Sequence, residues 1–65
     1  MGIVEKVMSF IELYGTFTSN VKFAEAKLRE IIDFSWLAKD MGILTEEHQK
    51  IIHDYAIDMI IELKK

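Results

Sequence analysis

Apolar residues recur along this chain with a period of roughly 3.6 residues, and the rhythm breaks at two internal glycines, Gly15 and Gly42. That pattern predicts three helices. In the first, over residues 3 to 14, Ile3, Val4, Val7, Met8, Ile11 and Tyr14 share one side while Glu5, Ser9 and Glu12 lie opposite. Gly15 is expected to close it, since glycine commonly sits just past a helix end. The connector GTFTSN offers Thr18, Ser19 and Asn20 as N-caps, so the second helix is placed at about residues 20 to 41. At ~100° per residue, Val21, Ala24, Leu28, Ile31, Ile32, Ser35 and Ala38 form its core side. Phe23, Phe34, Leu37 and Met41 make a flanking ridge, and Trp36 stands within a polar face that includes Arg29 and Asp33.

The third helix is expected over residues 46 to 64. Thr45 is a good cap, Glu46 and Glu47 suit the positive end of the helix dipole, and Lys64 and Lys65 suit the negative end. Ile52, Tyr55, Ala56, Met59 and Leu63 make its inward stripe. Ile57 and Ile61 point almost the opposite way, with Ile60 at the border and His53 among the solvated residues. Joined by a short turn at Gly42, the second and third helices should form an antiparallel hairpin about 30 Å long. The shorter first helix leaves part of that hairpin uncovered. The expected fold is therefore all-α, one domain over residues 1 to 65, whose bundle is completed by pairing as a homodimer. Ile57, Ile60, Ile61 and the Phe23 and Phe34 ridge are the candidate self-association residues.

Composition sharpens this expectation. A chain of 65 residues has a marginal core, and 51% of its residues are apolar, more than such a core can hide. There is no cysteine to staple the fold. The net charge is −3 with both signs interleaved, which disfavours a general nucleic-acid binder, because that affinity comes from neutralising phosphates. No run of about 18 apolar residues suggests a spanning helix, and the N-terminus lacks the pattern of a signal peptide, so the expectation is a cytoplasmic chain with no transmembrane segment.

No catalytic or metal-binding pattern emerges. His48 and His53 are five positions apart, on different sides of a helix, whereas helical zinc pairs are spaced by about four. Thr45 and Lys50 stand where a di-iron bundle places glutamate, three before each histidine. His48 is read as lying near the buried edge of the first turn. There is no phosphate loop, no nucleophile motif, and no cofactor is expected. The chain is not read as an enzyme.

The stretch LAKDMGILTEEHQKII, with Ala38 and Gly42 four apart and Ile43 and Ile51 following, resembles the turn of the helix-turn-helix repressors of bacteria. That resemblance implies a DNA-binding regulator. The sequence departs from the pattern at His48, where the family has an apolar residue, and at Glu46 and Glu47, whose charge is wrong for a helix facing phosphates. The favoured reading is a small regulator, inhibitor or adaptor, of the kind bacteria and their phages encode, that binds a target protein through a helical face. Trp36, Arg29 and Asp33 are the candidate partner-binding residues, tryptophan being enriched at binding hot spots.

Overall fold

The structure is a computed structural model and describes residues 2–65, the Phe17 side chain excepted. It consists of three helices packed on one another: α1 (Ile3–Phe17), α2 (Val21–Asp40) and α3 (Glu46–Lys64). Two of the three starts are capped as residue type dictates. The Asn20 carboxamide oxygen accepts from Phe23 N–H at 3.0 Å, and the Thr45 hydroxyl accepts from His48 N–H at 3.0 Å. Each side chain thereby satisfies a backbone donor that the first turn leaves free.

The α2–α3 turn is a Schellman motif. Gly42 N–H donates to Lys39 O at 3.0 Å and Ile43 N–H to Ala38 O at 2.9 Å, which requires Gly42 to sit at φ 80°. The glycine at that position avoids the strain a Cβ would bring. Beyond the turn, Ser35 on α2 meets Gln49 on α3, while Glu25 near the start of α2 meets Lys64 at the end of α3. The two helices are therefore antiparallel along their whole length, which is the expected hairpin. A helix-turn-helix instead crosses its helices at a wide angle.

Helix α1 runs parallel to α3. The Tyr55 hydroxyl donates to a Glu12 carboxylate oxygen at 2.7 Å, and Met59, one turn further along, lies against Gly15. Here the expected boundary is wrong: α1 does not stop at Gly15 but continues to Phe17. The reason is packing. A Cβ on Gly15 would collide with the Cγ and Sδ of Met59, so the glycine admits α3 to close approach and keeps ordinary helical geometry.

The core between the helices is thin. Ile11, Leu28, Leu44, Ile52 and Ile60 are its large members, and Ala24, Ala38 and Ala56 allow the helices to come close. Val4, Val7, Tyr14, Ile31, Ile32, Tyr55, Met59 and Leu63 pack around it. Two polar side chains join it, Ser35 and Gln49. The Gln49 amide donates to the Ser35 hydroxyl at 3.3 Å, which itself donates to Ile32 O at 2.6 Å. Among the described residues no buried side-chain nitrogen or oxygen lacks a partner.

Several placements differ from expectation. Ile60 belongs to the core, at 9% exposure, packed in the apolar cluster between the helices and not available on the outside for self-association. Val21, expected on the core side, is exposed at the first position of α2. His48 is exposed on the first turn of α3, and His53 is half-buried beneath Trp36 rather than freely solvated. The molecule measures 34 × 21 × 15 Å, and no described helix is long and apolar enough to cross a membrane.

Candidate interaction surfaces

The most informative feature of the surface is how much of it is apolar. Among the described residues, thirteen large hydrophobic side chains are exposed, more than the core contains. Scattered apolar residues are ordinary on any protein, but contiguous patches are not. Those here gather mainly on two opposite flanks of α2.

One flank is the groove between α1 and α2. Ile3, Val7, Phe10 and Tyr14 form one wall, and Ile31 and Phe34 the other, around a volume of about 480 Å³. Phe23 extends it, meeting the Tyr14 ring edge-on with centroids 6.3 Å apart. At the rim stand Lys6, Lys27 and Glu30; the Lys27 ammonium lies 5.5 Å from the Phe23 ring centre and 3.4 Å from the Glu30 carboxylate. Phe10 is 55% exposed although it sits mid-helix. With Leu13 it gives α1 a second apolar side, facing away from the core. A helix apolar on both sides is usually covered on both.

The other flank lies where α2 borders α3. Trp36 is 47% exposed, its ring edge-on to His53 with centroids 6.5 Å apart and the Lys39 ammonium 5.3 Å from its centre. One turn beyond His53 is Ile57, followed by Ile61, at 36% and 52% exposure. Arg29, also on this side, reaches the Glu25 carboxylate at 3.4 Å, and Asp33 is exposed. Lys64 closes the row through its 2.9 Å contact with Glu25.

The expected site residues are thus divided. Trp36 and Arg29 fall on the same flank as Ile57 and Ile61, whereas Phe23 and Phe34 lie across α2 beside α1. Ile60 is on neither. Sequence periodicity missed Phe10 and Leu13, because it assigned one buried side to α1 and no signal marked a second. Their spacing from Ile3 and Lys6, alternating three and four residues, carried that information.

No protein-family model, curated protein or solved structure matches this chain. The chemistry must be judged from the surface itself. Among the described residues no three His, Cys, Asp or Glu side chains cluster to hold a metal. Among the described residues two titratable groups are displaced, both by pairing. The hydrogen bond from Lys64 holds the Glu25 carboxyl below its ordinary value of 4.5, against the opposing effect of burial, with the charges of Lys64 and Arg29 assisting. The Tyr55 phenol is raised above 10.0, first by donating to Glu12 and then by burial. Both groups join helices to one another, which is a structural task.

Proposed function

We propose that this chain is a small protein-interaction module, a regulator, inhibitor or adaptor that pairs with itself and captures a helix of a target protein. The observation that carries this reading is the concentration of exposed aromatic and aliphatic side chains on two opposite flanks of α2. Two flanks allow two engagements at once. The α1–α2 groove suits an amphipathic target helix, whose apolar residues at spacings of about three and four would seat between Phe10 and Phe34. Lys6 at the rim would favour an acidic side chain on that helix. The flank bearing Ile57 and Ile61 is assigned to self-association, with Trp36, Arg29 and Asp33 bordering the paired helices.

Catalysis has no part in this reading, and neither has a cofactor. The DNA-binding alternative is weaker, because the antiparallel hairpin holds α3 against α2 and Glu46 and Glu47 are exposed at its start. A selection of helical peptides from a random display library against the immobilised protein tests the groove. Peptides with one apolar face should be enriched, and Phe10→Glu combined with Phe34→Glu should weaken them at least about tenfold while helicity is retained. Enriched peptides that bind the double variant as well as the parent would overturn the assignment.

A further inference from the structure

Along the outer side of α3, Lys50, Asp54, Ile57, Ile61 and Lys64 succeed one another at alternating spacings of four and three. This is a coiled-coil seam reduced to two apolar positions between charged ends. Lys50 is exposed, the Asp54 and Lys64 side chains are 58% and 56% accessible, and none of the five points into the core. The seam has an acid before the isoleucines and a base after them, a polarity that constrains what can cover it.

Resting on the self-association reading above, we infer that the occupant is the α3 of a second copy, antiparallel, with Ile57 facing Ile61 of the second copy and Asp54 facing its Lys64. A twofold axis repeats each contact, so four isoleucines form the apolar layers and two ion pairs close them. Charge complementarity selects this arrangement. A parallel pair would set Lys50, Asp54 and Lys64 each against its own copy, like charge on like. An antiparallel pair shifted by one heptad would press Ile57 on Asp54 and Ile61 on Lys50. Only the stated register brings isoleucine to isoleucine and acid to base together. Glu25 assists, since its contact with Lys64 holds that ammonium on the flank where the second copy approaches. The ion pairs serve mainly to fix the register, while burial of the isoleucines drives association.

Charge reversal provides the test, read by sedimentation equilibrium. Asp54→Lys alone and Lys64→Asp alone each place like charges at both ends of the homodimer, and each should weaken it by roughly tenfold. An equimolar mixture of the two variants should recover the parental affinity, because the Asp54→Lys chain and the Lys64→Asp chain are complementary at both ends. Lys64→Asp also removes the contact with Glu25, so a second measurement leaves Lys64 in place. The chain has no cysteine, and Ile57→Cys mixed with Ile61→Cys should form disulfide-linked heterodimers in preference to either homodimer on mild oxidation. Homodimers crosslinked through position 57 alone, or reversed-charge variants that dimerise like the parent, would overturn the register while leaving self-association standing. A parent chain that is monomeric at every concentration would overturn both.

Discussion

The Gln49 side chain is the residue whose position most separates this fold from a simple apolar bundle. It is buried, on the core side of α3 close to the Thr45 cap, and its amide is answered by Ser35, whose hydroxyl is in turn bonded to the backbone of α2. Periodicity puts Ser35 on the core side of α2, so half of this pair is legible in the sequence. Gln49 is not, because a glutamine beside two glutamates and a histidine reads as a solvated first turn. Removing one partner strands the other in an apolar setting. Ser35→Ala should cost about 1–3 kcal/mol in urea unfolding, and adding Gln49→Leu to it should recover most of the loss. A double variant no more stable than Ser35→Ala would show that the pair is not coupled.

Among the elements, α2 and α3 are closely legible in the sequence and α1 is not. Capping residues and the Gly42 turn announce the hairpin, because their chemistry is local: a side chain meets a backbone donor three residues away, or a backbone angle excludes a Cβ. Helix α1 is governed by what packs on it. Its end shifts to Phe17 where Gly15 packs against Met59, a long-range contact that no local rule encodes. The hairpin also has an electrostatic clasp where Glu25 meets Lys64 at 2.9 Å. Because pairing lowers the folded carboxyl value, the folded chain binds that proton less readily than the unfolded one. The stabilisation is thus fully present above the ordinary value of 4.5 and is lost as pH falls through the depressed one. Thermal melts between pH 7 and acid should show the parent losing more stability across this window than Glu25→Gln does. Equal losses would remove Glu25 from the account of acid sensitivity.

For the whole molecule, the decisive balance is between a thin core and an extensive apolar surface. Five large aliphatic residues and three alanines are buried, against thirteen large hydrophobics left exposed among the described residues. A domain this small draws only about 3–5 kcal/mol from a single core, so the proposed association would contribute a large fraction of stability. If the chain pairs with itself, its melting temperature must depend on its own concentration. Raising concentration a hundredfold should raise the midpoint by about 5 °C or more, and Ile61→Lys should abolish that dependence. A midpoint independent of concentration in the parent would mean that the folded monomer stands alone. The composition foretold an excess of apolar surface; which residues carry it depended on how α1 was laid across the hairpin.

The contact between Gly15 and Met59 carries a separate consequence. A side chain at position 15 and a long one at position 59 compete for the same space. Alanine at position 15 would favour the helix by about 1 kcal/mol, yet that gain is accessible only to a chain whose residue 59 has shortened or turned aside. Two positions distant in the sequence are therefore bound to vary together, and descendants of this chain should exchange them as a pair.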